Sequence, residues 1–204
     1  MIVYPANNSN SHVLSIVFPK SLGILFSPSG RRDPKNLPWV LDNEMYTAWV
    51  KSGYSKNLGD LRANWDCAAW KGAIDWAKSQ ITEPQFIVVP DAPGNSENTL
   101  SEFKRWRPYL DKTGFQLAIA VQDGMVPKDV PKGIVCFLGG TTEWKWKNLE
   151  RFCGDCERVH VGRVNTYSKL WACHDAGAES CDGSGFFRGD KVQLRGLISY
   201  LKES

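Results

Sequence analysis

Three aspartates, one glutamine and one glycine pair each stand just past a short apolar run. Asp42 follows Trp39-Val40-Leu41, and Asp91 follows Phe86-Ile87-Val88-Val89-Pro90. Gln122 follows Leu117-Ala118-Ile119-Ala120-Val121, Gly139-Gly140 follows Cys136-Phe137-Leu138, and Asp182 follows Ala178-Glu179-Ser180-Cys181. Three carboxyls can divide three tasks: one attacks, one moves a proton and one holds the substrate. A nucleophilic carboxylate forms covalent intermediates at sugar carbons through oxocarbenium-like transition states. A second acts as general acid/base when burial or acidic neighbours push its pKa toward neutrality. A third, with an amide and backbone N–H groups, can read a flat heterocycle bearing both donors and acceptors. Gly139-Gly140 would let the backbone approach a ring edge closely, because glycine has no Cβ in the way.

These residues converge only if the elements beneath them do. Continuous Val/Ile/Leu/Phe runs read as strands buried on both faces, as in a parallel sheet. Polar groups past the C-terminal ends of such strands sit where open α/β sheets and β/α barrels gather ligands. The chain predicts strands near 85–90, 115–121, 133–138, 158–163 and 178–182. Helices are expected near 96–110, 142–153, 166–176 and 190–202, with little room for one between 121 and 133. Upstream, Val13–Phe18, Leu22–Phe26 and Pro38–Leu41 are strand candidates, and a long helical stretch runs over roughly 60–79. About eight strands with helices between most of them form the pattern of a compact (β/α)8 TIM-type barrel, some helices short or missing. A doubly wound open sheet is the runner-up. One domain spanning 1–204 suits the length.

Lys+Arg exceed Asp+Glu by 25 to 22, so a net charge of +3 permits a polyanionic partner without arguing for one. Six cysteines are scattered through a chain too large to need disulfide staples. Cys153-Gly154-Asp155-Cys156 has the spacing of half a zinc site, but a second pair at matching spacing is missing, and the thiols read as incidental. Met1 to Pro5 lacks the basic start of a signal peptide, and no run approaches the roughly 20 apolar residues of a membrane span. A cytoplasmic protein with no membrane partner is expected.

Taken in order, the segments resemble the tRNA-guanine transglycosylases and their relatives that insert 7-deazaguanines into DNA, the DpdA type. Leu41-Asp42-Asn43-Glu44-Met45-Tyr46 resembles Asp-Ser-Gly-Gly-Tyr/Phe, keeping the Asp and the aromatic but not Ser-Gly-Gly. Val89-Pro90-Asp91 is similar to the strand end that reads the guanine edge. Val121-Gln122-Asp123-Gly124 resembles Val-Gln-Gly-Gly, and Phe137-Leu138-Gly139-Gly140 resembles the pair whose backbone meets the base. Val159-His160-Val161-Gly162 is similar to the next strand. Gly177-Ala178-Glu179-Ser180-Cys181-Asp182 resembles Gly-Val/Ala-Asp-x-Phe-Asp, with Arg188 near the place of a following arginine.

The resemblance implies a base-exchanging glycosyltransferase. Asp182 would be the nucleophile and Asp42 the general acid/base. Asp91, Gln122, Gly139 and Gly140 would read the base, with Tyr46 against its face and Arg188 nearby. It implies no cofactor and no metal. Residues 183–204 contain no Cys or His, so no counterpart of the zinc subdomain of the tRNA-acting members is expected in them. That favours DNA over tRNA as partner, with guanine or a 7-deazaguanine as the base, and leaves room for a partner subunit to supply nucleic-acid surface. Two alternatives remain open: an N-glycosidase that releases the base to water, and a non-catalytic module that binds a modified base or nucleotide.

Read one by one, the residues also admit plainer roles. Asp42 or Asn43 could cap a helix, and Asp91 and Asp182 sit in turn-like sequence. His160 reads as a buried histidine with a satisfied hydrogen bond. Lys104-Arg105-Trp106-Arg107 and Trp144-Lys145-Trp146-Lys147 interleave cations with aromatics, as a nucleic-acid surface would.

Overall fold

In the computed structural model, which describes residues 1–187 and 191–204, the apolar runs pair into a parallel sheet. Among the described residues the strands are β1 (Ile2–Pro5), β2 (Ile24–Phe26), β3 (Trp39–Leu41), β4 (Ile87–Val88), β5 (Leu117–Val121), β6 (Val135–Leu138), β7 (Val159–Val161) and β8 (Ser180–Gly183). Their order is β1-β8-β7-β6-β5-β4-β3-β2, every pairing parallel. The two ends of that series meet through parallel bridges, Val3 with Leu22 and Ala6 with Leu25. Val3 N donates to Ser21 O at 2.9 Å, Gly23 N to Val3 O at 2.9 Å and Asn7 N to Leu25 O at 2.9 Å. The sheet therefore closes on itself as a compact (β/α)8 barrel, and the open doubly wound sheet is excluded.

Strand alternation divides the core in two. Tyr4, Val40, Phe86, Val88, Ala118, Ala120 and Val135 point inward and fill the barrel. Their neighbours, such as Trp39, Leu41, Ile119, Cys136, Val159 and Val161, face the surrounding helices. Those helices are α1 (Ser9–Val17), α2 (Met45–Lys51), α3 (Leu58–Ala63), α4 (Cys67–Lys78), α5 (Ser96–Leu110), α6 (Thr142–Asp155), α7 (Tyr167–Asp175) and α8 (Lys191–Glu203). Between β5 and β6 there is only a 3-10 turn, Pro127–Asp129, as the short Pro/Lys-rich link leads one to expect.

Two expectations are corrected. Val13–Phe18 is not a strand but most of α1. Asn8 caps this helix, its side chain accepting from Asn10 N at 2.8 Å while Ser11 Oγ accepts from Asn8 N at 3.1 Å. The helix buries Ser11 and Ser15 and turns Val13, Ile16 and Val17 outward, so its apolar residues misreport its buried face. The strand pairing with β8 and closing against β2 is instead β1, at the start of the chain. The helical stretch 60–79 is also two helices: Asn57 caps α3, and Asp66 restarts α4 by accepting from Ala69 N at 2.8 Å.

Among the described residues no helix is long and apolar enough to cross a membrane.

Closure leaves no room at the seam. A Cβ on Gly23 would lie 2.4 Å from Tyr4 Cε1 and 2.6 Å from Pro38 O. Gly23→Ala is expected to lower the unfolding free energy by about 1–3 kcal/mol, read from the urea midpoint at unchanged m-value.

Candidate functional site

Every strand delivers a residue from its C-terminal end to one cleft of about 690 Å³. Asp42 arrives from β3, Asp91 from β4, Gln122 from β5, Gly139 and Gly140 from β6, Arg163 from β7 and Asp182 from β8, with Tyr46 on the first turn of α2. The cleft thus gathers all the residues the sequence singled out except Arg188, which lies outside the described residues.

Asp91 is 5% exposed, and both of its carboxylate oxygens accept amide N–H groups. Asn43 Nδ2 donates to Oδ1 at 2.9 Å, and Gln122 Nε2 donates to Oδ2 at 2.9 Å. Gln122 is committed on its other side as well, its Oε1 accepting from Gly94 N at 3.0 Å. It therefore holds Asp91 in place. Burial pushes the Asp91 carboxyl up to about 7, with the nearby Asp42 adding to the rise and the Asn43 amide opposing it.

Asp42 continues the β3 ladder, its N–H donating to Phe26 O at 2.8 Å. Its side chain meets backbone N–H groups alone: Asn43 N, and Glu44 N in a long bond of 3.4 Å. Burial raises it to about 6; the Asn43 and Glu44 N–H groups oppose this, and the charges of Asp182 and Glu44 add to it. Asn43, not Asp42, makes the turn into α2: its Oδ1 accepts from Met45 N at 2.8 Å, its Nδ2 also donates to Val89 O at 2.8 Å, and its carbonyl accepts from Trp65 Nε1 at 2.8 Å.

Asp182 is also held through both oxygens. Oδ1 meets His160 Nε2 at 3.0 Å, and Oδ2 accepts from Arg163 N at 3.3 Å. The His160 ring is completely buried inside the barrel, 5.0 Å from the Phe86 ring and 4.6 Å from that of Phe137. Its Nδ1 meets Ser180 Oγ at 2.9 Å. The plain reading of His160 is thus half the account, because one of its partners is the candidate nucleophile. The sequence signal was available: Val159 and Val161 face the helices, so the residue between them must face the barrel axis.

Arg163 carries the rim. It sits at φ 58°, which brings its N–H to Asp182, and its guanidinium donates to Gly140 O and lies 5.3 Å from the Tyr46 ring centre. Gly140 itself is at φ 65°, and a Cβ there would lie 2.6 Å from Asp123 Oδ1 and Trp144 Cε3. Lys145 is buried, donating through Nζ to Gly162 O, and burial with Arg163 nearby pushes it down to about 8. The 144–147 stretch is therefore no row of exposed cations beside stacking rings. In 104–107, Trp106 is turned inward onto Glu102 Oε2 at 3.0 Å.

Among the described residues no three His, Cys, Asp or Glu side chains form a cluster that could hold a metal. Chemically, the cleft offers one carboxyl oriented by an imidazole and two raised toward neutrality by burial, of which one is clamped by amides. Phe137, Val88 and Ala120 line the space between them.

No protein-family model matches the chain, and no curated protein sequence matches it. Solved structures do. One described as a fructose-1,6-biphosphate aldolase from Coccidioides immitis shares 12% identity at a TM-score of 0.57, covering 99% of this chain and 87% of that one. A 3-hexulose-6-phosphate synthase shares 8% at 0.51, with 99% of each chain covered. The Amycolatopsis orientalis BexX/CysO complex shares 9% at 0.52, covering 99% of this chain and 91% of that one. The likeness is one of fold. It agrees with the closed barrel seen in the strand order and carries no chemistry to this cleft.

The Asp42 carboxyl binds its proton more tightly in the folded chain, at about 6, than at its ordinary value of 3.8. The folded state thus holds the extra proton, and stability falls as pH rises from about 4 through 6, then levels. Asp42→Asn is expected to raise stability on the order of 1–2 kcal/mol at about pH 8 and to change it little at about pH 4, measured by thermal melts at both.

Proposed function

We propose that the cleft is the active site of an enzyme that exchanges a guanine-type base in nucleic acid, DNA in preference to tRNA, through a covalent bond from Asp182 to the sugar. The observation that carries this reading is the division of labour among three carboxyls in one cleft. Asp182 is held by an imidazole and a backbone N–H, Asp91 is clamped by two amides, and Asp42 meets only the backbone N–H groups of Asn43 and Glu44, with a pKa near 6.

Asp182 attacks C1′ as the bond to the base breaks, giving a glycosyl-enzyme intermediate. Asp42 gives its proton to the leaving base and, as carboxylate, takes one from the incoming base that attacks C1′ and frees Asp182. Asp91 and the backbone at Gly139 and Gly140 read the ring edge, and Gln122 positions Asp91. His160 is a positioning residue that fixes the Asp182 carboxylate. Neither step calls on a metal or a cofactor.

Glu44, at the place where the resembled Asp-Ser-Gly-Gly-Tyr/Phe motif has a glycine, has φ 59°, a conformation glycine enters freely.

Labelled guanine incubated with guanine-containing DNA is expected to enter the polymer, and Asp182→Ala to bring incorporation to background. Release of unlabelled base without incorporation would favour the glycosidase. Base binding unaffected by Asp182→Ala, with no turnover by the unaltered chain, would favour the binding module.

His160→Phe is expected to lower kcat about 100-fold with KM nearly unchanged, because a misaligned nucleophile loses near-attack geometry. His160→Gln, which can still donate to Asp182, is expected to recover a large part of that loss. Equal losses in both variants would remove the positioning role.

A further inference from the structure

We infer that the rim of the cleft carries a second subsite, a stacking platform for the nucleobase next to the reacting one, so that DNA enters as an unpaired strand. This rests on the base-exchange reading. One wall of the cleft carries exposed aromatic side chains: Tyr46 is 46% exposed and Tyr54 57%, on α2 and the turn that follows it. Trp49 lies between the two tyrosines, its ring centre 5.7 Å from that of Tyr46 and 5.0 Å from that of Tyr54, in tilted and edge-on contact. Tyr46, Trp49 and Tyr54 all line the cleft, so the patch continues the wall that would flank the reacting base.

The backbone goes out of its way to place Tyr54 there. Gly53 at φ 70° and Tyr54 at φ 63° turn the chain back after α2, and Tyr54 N donates to Trp49 O at 2.9 Å. A left-handed conformation is costly for a bulky side chain, and a residue more than half exposed gains little burial to offset it. Such strain is commonly kept where a side chain must meet a ligand.

Charge points to the same occupant. Among the described residues lining the cleft Arg163 is the one cation, and its guanidinium lies over Tyr46, between the pocket floor and the aromatic wall. A strand with its reacting base among Asp42, Asp91 and Asp182 would pass its next phosphate beside Arg163. Its next base would then reach Trp49 and Tyr54. Beyond the donor on Gly140 O the guanidinium has further N–H groups to offer. In a duplex that neighbouring base would stay paired and stacked, closed to the platform.

The test compares binding of deoxyguanosine and of a DNA trinucleotide, thymidine-deoxyguanosine-thymidine, by titration calorimetry. The trinucleotide is expected to bind more tightly to the unaltered chain. Tyr54→Ala is expected to lose about 5- to 150-fold in trinucleotide affinity while deoxyguanosine affinity is unchanged, and Tyr54→Phe to keep both. A trinucleotide that binds no better than the nucleoside, or whose advantage survives Tyr54→Ala, overturns the platform and leaves the base-exchange reading standing. Loss in Tyr54→Phe equal to that in Tyr54→Ala also overturns it, because stacking does not need the hydroxyl. If neither ligand binds the unaltered chain, the base-exchange reading fails and the platform with it.

Discussion

Three carboxyl groups share one partly dry mouth, and they cannot all ionise at ordinary cost. A buried carboxylate is stabilised only by the donors that reach it, and each charged neighbour raises the cost for the next. The surrounding residues distribute those donors unequally. Asp182 receives an imidazole nitrogen and a backbone N–H, and Asp91 receives the amides of Asn43 and Gln122. Asp42 receives only the backbone N–H groups of Asn43 and Glu44, and burial raises both it and Asp91, to about 6 and about 7. The polar architecture of the mouth follows from that inequality.

Closure of the barrel makes the unequal sharing durable. The donors come from β3, β5 and β7 and the carboxyls from β3, β4 and β8, so the distances hold only while the strands keep their stagger around the ring. Strain is absorbed at the same rim. Glu44 and Arg163 both occupy the left-handed region, where a non-glycine residue persists only if its surroundings over-determine it. Glu44 is fixed by the Asn43 turn into α2, while Arg163 is fixed by Asp182 on one side and by Gly140 and Tyr46 on the other. Even Lys145 contributes from beneath, its ammonium tied to the Gly162 carbonyl next to the strained Arg163.

The barrel and the cleft were legible in the chain for different reasons. Strand ends such as Leu41-Asp42 and Val121-Gln122 announce themselves because a doubly buried strand has a polar residue only where it emerges. What stayed hidden involves partners far apart in sequence. The first strand is only Ile2–Pro5 and takes its identity from β8 at the other end of the chain. Helix α1 misleads because serines face its core and Val13, Ile16 and Val17 face out, reversing the usual pattern. Gln122 was legible as a site residue, yet its tie to Asp91 appears only once β4 and β5 are paired. Asn43 was legible as a cap of α2 but not as a partner of Asp91, and Arg163 carries no local signature, since it matters through the backbone turn that places it.

The position of Asp42 bears on the kind of transfer the cleft would perform under the base-exchange proposal. An inverting hydrolase needs an ionised base and a separate acid at once, whereas a covalent route uses one group first as acid and then as base. Exchange is nearly symmetric: the departing and arriving heterocycles occupy the same place, and one group must serve as acid and then as base. A carboxyl at about 6 suits that double duty, because neither protonation state is costly to reach near neutral pH. Asp182 meets the complementary need. Its charge is shared with His160 and the Arg163 N–H and not fully neutralised, which leaves it nucleophilic yet able to leave again when the second base attacks. The asymmetry between these two carboxyls, one held by an imidazole and a backbone N–H and the other by backbone N–H groups alone, is what a reversible base transfer asks of the cleft.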